Sequence, residues 1–188
     1  MNDYPLPVVD LDQRLDRWVV GHRPDWLDPL FVGLSWIGSY GLVWIAIALL
    51  YAWQTRRPYL PMLVAGSTAL AEIVNYGLKL AIGRERPPAS FAEPETLVHA
   101  PDTPSFPSGH AVTAFLGATL ISFSRARWAW WLYLLAAGIA WSRVYVGVHY
   151  PLDVLAGALV GTALAFAIRG LRKLLAGRRR SPRAPQPG

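Results

Sequence analysis

The sequence predicts an all-α integral membrane protein, a helical bundle of about five transmembrane helices with an amphipathic helix at its N-terminus. The first observation behind this prediction is composition, because 53% of the 188 residues are hydrophobic and only 16% are charged. A soluble domain usually carries about a quarter charged residues. The second is a series of apolar stretches close to the roughly 20 residues that cross a bilayer. The nine Trp residues agree with both, since Trp favours membrane interfaces.

The N-terminal segment, residues 1–24, is predicted to form an amphipathic helix that lies along the membrane surface. Between Val8 and Val20, apolar and charged residues recur at helical spacing, and this pattern is typical of interfacial helices. The segment has no basic start followed by a long apolar run, so we expect no secretory signal peptide.

Residues 25–176 are predicted to form the membrane domain. Their first apolar stretch, residues 26–53, is interrupted at residues 38–41, which favours a short interfacial piece followed by a spanning helix. Four more spans are predicted at residues 59–82, 109–123, 128–145 and 151–168. In the last of these, Gly157 and Gly161 form a small-residue face suited to close helix packing.

Basic residues predict how the chain is oriented in the membrane. The turns at residues 56–57 and 125–127 share one face with the C-terminal segment, residues 177–188, which is predicted to be a basic disordered tail. By the positive-inside rule that face is cytoplasmic, and the proline-rich loop at residues 83–107 lies on the opposite face. Much of the net charge of +6 is near the C-terminus, which indicates membrane anchoring rather than nucleic acid binding. The absence of Cys excludes a disulfide framework and a thiolate metal site.

Three polar islands interrupt the apolar sequence on the predicted non-cytoplasmic face, at residues 79–87, 107–110 and 142–153. In the first, Lys79 and Arg86 are two helical turns apart and share a face if the helix continues that far. Such cations can hold a phosphoryl dianion, and Arg can do so through two parallel hydrogen bonds. The structural alternative is that both side chains extend toward interfacial water. Glu72 and Asn75 lie on the same predicted face, where we expect them to pair within the bundle, with an accessory role in the site as the alternative.

The second island opens a helix after the proline-rich loop. A helix N-terminus presents free N–H groups and the positive end of the helix dipole, which together attract anions. Ser108 can donate a hydrogen bond there, Gly109 allows close approach of the backbone, and His110 follows directly. The structural alternative is that Ser108 serves only as an N-cap.

The third island combines Arg143, His149 and Asp153 at the junction of the last two spans. Pro151 suits the first turn of a helix, so His149 lies at its start. Asp153 follows four residues after His149, a spacing that lets a carboxylate bond one ring nitrogen and leave the other free as a nucleophile. Ionisable groups that border a membrane are functional candidates. The residue types of the three islands together are suited to binding a phosphate group and cleaving a bond to it.

Taken jointly, these residues resemble the three-part signature of the type 2 phosphatidic acid phosphatase superfamily, which contains membrane lipid phosphatases and the vanadium haloperoxidases. The matching motifs are Lys79-x6-Arg86-Pro87, Pro107-Ser108-Gly109-His110 and Ser142-Arg143-x5-His149-x3-Asp153. The resemblance covers residues 30–170. One departure is that bacterial lipid phosphatases of this type often have one more spanning helix, which is here missing or replaced by the amphipathic N-terminal segment.

The resemblance implies a role for each motif residue. His149 attacks phosphorus and forms a phosphohistidine, Asp153 orients His149, and His110 protonates the leaving oxygen and later activates water. The remaining residues hold the phosphoryl oxygens: Lys79, Arg86, Ser108, Gly109 and Arg143. Family members work without a metal, so the resemblance implies no cofactor.

The resemblance also implies an enzyme integral to the plasma membrane, the inner membrane in bacteria, with its active site on the non-cytoplasmic side. Undecaprenyl diphosphate, phosphatidylglycerol phosphate and phosphatidic acid are all open as substrates, and the oligomeric state is open as well. The first alternative is a lipid phosphotransferase that uses the same phosphohistidine. A vanadium haloperoxidase is the second, and the apolar spans argue against it because those enzymes are soluble. A non-catalytic lipid-binding protein is the third, and the complete motifs argue against it.

Overall fold

The computed structural model describes residues 7–124 and 129–179, and every regular element among them is helical. In chain order the helices are α1 Pro7–Gly21, α2 Asp28–Ile37, α3 Leu42–Thr55, α4 Tyr59–Ile82, α5 Pro87–Ser90, α6 Gly109–Ser122, α7 Ala129–Tyr145 and α8 Pro151–Arg179. Two 3₁₀ turns, Asp25–Leu27 and Ser39–Gly41, precede α2 and α3. The prediction of an all-α protein is confirmed for this part of the chain.

Helix α6 is the centre of the bundle. It packs against α8, α7 and α4, and most of its side chains are buried. Because α6 has neighbours on all sides, every face of the helix can be apolar. A Cβ atom at Gly161 of α8 would meet the carbonyl oxygen of Val112 and come within 3.0 Å of the Leu116 nitrogen. The close packing predicted from Gly157 and Gly161 is therefore confirmed, since the two backbones touch there.

The outer surface of the bundle carries many large apolar side chains, among them Met62 and Ile73 on α4 and Leu159 on α8. By length and composition, one described helix could cross a membrane on its own, Pro151–Gly177 within α8. A second span is added if two helical segments that meet at an angle of 53°, Asp25–Ile37 and Ser39–Thr55, together form a single span. The prediction of about five spans is not established by these criteria and stays a prediction.

Helix α8 continues beyond its predicted end near residue 168. It reaches Arg179 because residues 169–179 contain no Pro and consist mostly of strong helix formers. The helix therefore extends into the segment predicted as a disordered tail. Residues 180–188 of that segment lie outside the described residues, as does the basic turn at residues 125–127 on which the orientation partly depends.

Helix α1 is amphipathic, as predicted, and its polar side faces the protein. Asp12 and Asp16 are 2% and 0% exposed, whereas Leu11 and Trp18 are 57% and 62% exposed. An amphipathic helix on the surface of a soluble domain shows the opposite arrangement. The apolar side of α1 thus continues the apolar outer surface of the bundle.

The long loop folds over the junction between α7 and α8. Gly83 ends α4 with a φ of 65°, a left-handed conformation that glycine adopts without strain. Further along, Leu97 N–H donates to the Val146 carbonyl oxygen at 3.1 Å, and Ser105 N–H donates to the Arg84 carbonyl oxygen at 2.7 Å. These bonds bring the first polar island next to the third.

Candidate active site

A cavity of about 510 Å³ lies between α2, α4, α6 and α7, and residues of the long loop complete its wall. Most of the predicted site residues line it: Lys79, Arg86, Gly109, His110, Arg143 and His149. The other two, Ser108 and Asp153, are fully buried next to these residues. The fold therefore brings the three polar islands together, although they are separate in the sequence.

Three buried cations border the cavity. Lys79, Arg86 and Arg143 are 6%, 7% and 5% exposed. Among the residues that the structure describes, none of the three has a carboxylate oxygen within 4.0 Å. Burying a charge without a counter-charge is costly, and an anion in the cavity would remove that cost. This burial also argues against the alternative in which Lys79 and Arg86 extend toward interfacial water.

Arg86 reaches the cavity from the loop rather than from α4. The spacing from Lys79 predicts a shared helix face only if the helix continues to Arg86, and Gly83 ends it before that point. Loop and turn carbonyls hold the guanidinium instead, since Nε donates to Thr103 O at 2.8 Å and Nη1 donates to Val148 O at 2.9 Å. Burial lowers the pKa of Arg86 to about 10, so the side chain stays charged at neutral pH.

The N-terminus of α6 contributes hydrogen-bond donors. Ser108 occupies the N-cap position, but its hydroxyl makes no capping hydrogen bond and has no partner in the described part of the chain. The N-cap alternative therefore does not account for this buried hydroxyl. A Cβ atom at Gly109 would come within 3.1 Å of Asn75 Nδ2, so α6 packs closely against the Asn75 side chain of α4 at this position.

His149 lies in the turn between α7 and α8, with its two ring nitrogens facing different partners. Nδ1 is 3.4 Å from Asp153 Oδ2, and Nε2 is 3.1 Å from Arg86 Nη1. Because a carboxylate can only accept, Nδ1 carries the proton, and the lone pair of Nε2 accepts from the guanidinium. The sequence predicts that the ring nitrogen not bonded to Asp153 is free. In the structure that nitrogen, Nε2, accepts a hydrogen bond from Arg86.

The surroundings of His149 keep its imidazole neutral. Burial lowers the pKa of His149 well below its usual value, and the positive charges of Arg86 and Arg143 add to this effect, while the hydrogen bond to Asp153 opposes it. At neutral pH the ring is therefore unprotonated at Nε2, the form in which that nitrogen can act as a nucleophile.

Asp153 is buried behind His149 and accepts hydrogen bonds on both oxygens. Oδ1 accepts from Arg84 Nη1 at 2.7 Å. Oδ2 accepts from the backbone N–H of Tyr150 at 2.9 Å, from the Ser105 hydroxyl and from His149. So many partners hold the carboxylate in one orientation.

Ser35 of α2 orients two of the predicted residues at once. Its carbonyl oxygen accepts from His110 Nε2 at 3.2 Å, and its hydroxyl accepts from Arg143 Nη1. Arg143 Nε has no partner in the described residues, so this side chain keeps a donor for a ligand.

Several residues of the site were not predicted from the sequence. Ser35, Ser105 and Arg84 belong to no recognisable spacing pattern, and only the density of polar residues around Arg84 was a signal. Glu72 and Asn75 were expected to pair, with an accessory role as the alternative. Both line the cavity, which favours the alternative, and Asn75 Oδ1 is buried without a partner among the described residues. In the same part of the chain, no three or more His, Asp or Glu side chains are grouped so that they could hold a metal ion.

Comparison with known proteins identifies relatives over most of the chain. The sequence profile of the PAP2 superfamily matches residues 60–174, which contain all three polar islands. Over 142 residues the chain is 34% identical to an undecaprenyl-diphosphatase of Sulfolobus acidocaldarius, covering 74% of this chain and 68% of the relative. Over 153 residues it is 31% identical to the undecaprenyl-diphosphatase BcrC of Bacillus subtilis, covering 78% and 76%.

A solved structure has a similar fold. The crystal structure of a transmembrane PAP2 type phosphatidylglycerolphosphate phosphatase from Bacillus subtilis superposes with a TM-score of 0.75 at 26% sequence identity. The superposition covers 92% of this chain and 89% of that chain.

Proposed function

The chain belongs to the PAP2 superfamily, and from this membership we propose that it is a metal-independent lipid phosphatase that uses a phosphohistidine intermediate. The observation that carries the proposal is the group of three buried cations around a neutral His149. Phosphoryl transfer needs positioning and charge stabilisation more than it needs covalent chemistry from the protein. Lys79, Arg86 and Arg143 supply that charge in a site shielded from water, where it acts most strongly.

In the proposed mechanism, the phosphate of the lipid enters the cavity and the cations bind its oxygens. Ser108 Oγ and Arg143 Nε add hydrogen bonds, since neither has a partner among the described residues. The N–H groups in the first turn of α6, which have no intrahelical acceptor, add more. His149 Nε2 gives up its hydrogen bond with Arg86 and attacks phosphorus. The hydrogen bond to Asp153 keeps the proton on His149 Nδ1. This step forms a phosphorus–nitrogen bond and releases the leaving oxygen.

His110 completes the reaction in this proposal. In its protonated form it gives the Nδ1 proton to the leaving oxygen, since Nε2–H donates to Ser35 O, and Nδ1 later takes a proton from the water that cleaves the phosphohistidine. The contact with Ser35 O holds the His110 ring in place at the cavity wall. The products are inorganic phosphate and the dephosphorylated lipid.

The substrate class follows from the relatives and the cavity. The relatives include undecaprenyl-diphosphatases and a phosphatidylglycerolphosphate phosphatase, so a polyprenyl diphosphate and a phospholipid phosphate are the leading candidates, with phosphatidic acid as a third. Exposed aromatic side chains of Trp36, Tyr40 and Tyr76 also line the cavity. They provide an apolar edge along which the lipid chain next to the phosphate can lie.

The proposal places the enzyme in the plasma membrane with the cavity at the non-cytoplasmic face. The apolar outer surface and the outward apolar face of α1 support contact with lipid. Helix α4 has 24 residues and is therefore about 36 Å long, enough to cross a bilayer. In this arrangement α3, α4, α6, α7 and α8 are the five spanning segments, and Arg56 and Arg57 lie at the end of α3 opposite the cavity.

Phosphate release from detergent-purified protein tests this proposal. The panel contains undecaprenyl diphosphate, phosphatidylglycerol phosphate and phosphatidic acid, each with and without EDTA. We expect release from at least one lipid at the same rate with EDTA, none from His149→Ala, and wild-type release from His22→Ala, which changes an exposed histidine far from the cavity. Loss of activity in EDTA would contradict metal independence. Transfer of the phosphate to an added lipid acceptor without release would indicate the phosphotransferase.

A further inference from the structure

Arg84 connects two buried carboxylates that come from opposite ends of the chain. Its Nη1 donates to Asp153 Oδ1 at 2.7 Å, and its Nη2 donates to Asp12 Oδ2 at 2.6 Å. Asp12 and Asp153 are almost completely buried, so these charge-assisted bonds are shielded from water and stronger than surface ion pairs. The guanidinium thereby ties α1 to the first turn of α8.

Arg84 also organises the other partners of Asp153. Its carbonyl oxygen accepts from Ser105 N–H at 2.7 Å, and the Ser105 hydroxyl donates to Asp153 Oδ2. Its guanidinium lies over the Tyr150 ring at 4.1 Å from the centroid, and Tyr150 N–H donates to the same Oδ2. The two oxygens of Asp153 are therefore divided, with Oδ1 bonded to Arg84 and Oδ2 to His149, Ser105 and Tyr150.

Asp12 determines which part of Arg84 reaches Asp153. A guanidinium and a carboxylate readily form two parallel hydrogen bonds. Here Asp12 engages Nη2, so that Nη1 alone bonds Asp153 and Oδ2 stays with His149. Asp12 is itself fixed, because its Oδ1 accepts from Leu152 N–H at 2.8 Å. If Asp12 lost its charge, Arg84 could bond both oxygens of Asp153 and would compete with His149.

We propose that Asp12 and Arg84 are positioning residues that set the orientation of Asp153 and, through it, of the His149 ring. This inference rests on the proposed phosphatase function. Neither side chain lines the cavity, so both act through Asp153 and not on the substrate. Helix α1 thus has two roles, since its apolar side faces outward to the lipid and Asp12 on its inner side completes the catalytic machinery.

The first test compares Asp12→Asn with Asp10→Asn in phosphate release. Asn keeps the shape of Asp12 and an oxygen for Leu152 N–H but loses the charge that engages Arg84. Asp10 is on the same helix, half-exposed, and among the described residues it pairs only with the exposed Arg14, so its substitution is the matched control. For Asp12→Asn we expect kcat to fall by roughly tenfold to a hundredfold, because the nucleophile is misaligned. KM should change by less than about threefold, because the phosphate-binding cations are untouched.

The rate per active molecule separates positioning from a loss of folded protein. A purely structural defect would lower the fraction of active enzyme and the thermal midpoint, and leave the single-turnover rate unchanged. Positioning predicts a slower single-turnover rate per active molecule, whatever the loss of the buried Asp12–Arg84 bond does to the thermal midpoint. Equal single-turnover rates for Asp12→Asn and Asp10→Asn would overturn the inference, even if the wild type is an active phosphatase.

A second variant tests the fork geometry of Arg84. In Arg84→Lys the positive charge remains, but one ammonium group cannot span Asp12 and Asp153 as a planar fork does. We expect kcat to fall at least as far as in Asp12→Asn, again with little change in KM. A wild-type kcat in Arg84→Lys would show that charge alone suffices and would contradict the positioning role.

A spectroscopic measurement tests the same inference without turnover. In protein labelled with ¹⁵N-histidine, the His149 signals are those missing in His149→Gln. We expect the wild type and Asp10→Asn to show the Nδ1-protonated tautomer, and Asp12→Asn to show a shifted or mixed tautomer. Unchanged His149 signals in Asp12→Asn would overturn the inference. If the wild type released no phosphate from any lipid, the proposed function would fail, and this spectrum would still decide on the positioning.

Discussion

At the scale of single residues, the site depends on charges that are buried without counter-charges. Arg143 is the clearest case, because it is 5% exposed, its Nη1 bonds only the Ser35 hydroxyl, and its Nε has no partner among the described residues. Such a side chain is costly to the free protein and favourable once an anion is bound. In the proposed function, a bound phosphate offsets this cost.

Arg143→Lys should therefore damage the enzyme although it keeps the charge. An ammonium group cannot donate to Ser35 and to two phosphoryl oxygens in the plane of a guanidinium. We expect kcat/KM for phosphate release to fall by about a hundredfold, the size of effect seen when a transition-state donor is removed. Arg14→Lys, at an exposed position on α1, is the control. A wild-type kcat/KM in Arg143→Lys would mean that Arg143 does not bind the phosphate.

The lowered pKa of His149 gives the stability a specific dependence on pH. The unfolded chain takes up a proton at this histidine near pH 6.5, whereas the folded protein does so only at much lower pH. Stability from this group is therefore complete above pH 6.5 and falls below it, by up to about 1.4 kcal/mol per pH unit. We expect the thermal midpoint in detergent to drop less between pH 7.5 and 5.5 in His149→Gln than in wild type. Identical drops in both proteins would contradict the burial of a neutral imidazole, and the exposed His22→Gln should behave like wild type.

The sequence was sufficient to identify the residues of the three islands, and it was not sufficient to identify how they are held. Local motifs place His149 four residues before Asp153 and Ser108 at a helix start. No local pattern links Asp12 to Arg84, because their contact exists only when α1 folds back onto the loop. Ser35 and Ser105 are ordinary serines in the sequence, and only the tertiary structure gives them their partners.

At the scale of the elements, the bundle is built on close contacts between backbones. Gly161 lies against the backbone of α6 at Val112 and Leu116, whereas a Cβ atom at Gly170, nine residues further along α8, would meet nothing within 4 Å. This pair offers a matched comparison within one helix.

Gly161→Ala should destabilise the protein, and Gly170→Ala should not. At Gly161 the added methyl group meets backbone atoms that cannot move aside, which costs on the order of 1–3 kcal/mol. At Gly170 alanine only improves helix propensity, by less than about 1 kcal/mol. The thermal midpoint of each variant is measured in detergent from the fraction of protein that stays monodisperse after heating. Equal midpoints for the two variants would contradict the close packing of α6 and α8.

Element boundaries were predictable where the sequence carries a stop signal. Gly83 ends α4 at the predicted residue, and the first residues of α4, α6 and α8 agree with the predicted starts. The end of α8 was not predicted correctly because residues 169–179 contain no Pro or Asn, and the expected boundary rested only on the end of the apolar pattern. The spacing from Lys79 predicts a shared helix face for Arg86 only if the helix continues past Gly83, and Gly83 ends α4 before that point.

In the proposed topology of the whole chain, the cavity lies on one side of the membrane and the Arg56–Arg57 turn lies on the other. The chain contains no Cys, so single introduced cysteines report on topology without interference. Glu85 and Asp102 in the long loop and Arg56 at the end of α3 are all exposed.

Cysteine labelling in intact cells tests this topology. We expect Glu85→Cys and Asp102→Cys to react with a membrane-impermeant maleimide in intact cells. Arg56→Cys should react only after the membrane is opened. The reverse pattern would place the active site on the cytoplasmic face, and labelling of all three in intact cells would argue against a membrane-spanning chain.

The proposed phosphohistidine on His149 can be trapped and located directly. Wild-type protein is mixed with a lipid that carries ³²P in its terminal phosphate, and the reaction is stopped within milliseconds under denaturing alkaline conditions. We predict label on the wild-type protein that is lost in acid and maps to the peptide containing His149, the same label on His22→Ala, and none on His149→Ala. Phosphate release by wild type without any labelled protein, or label on His149→Ala, would contradict the account.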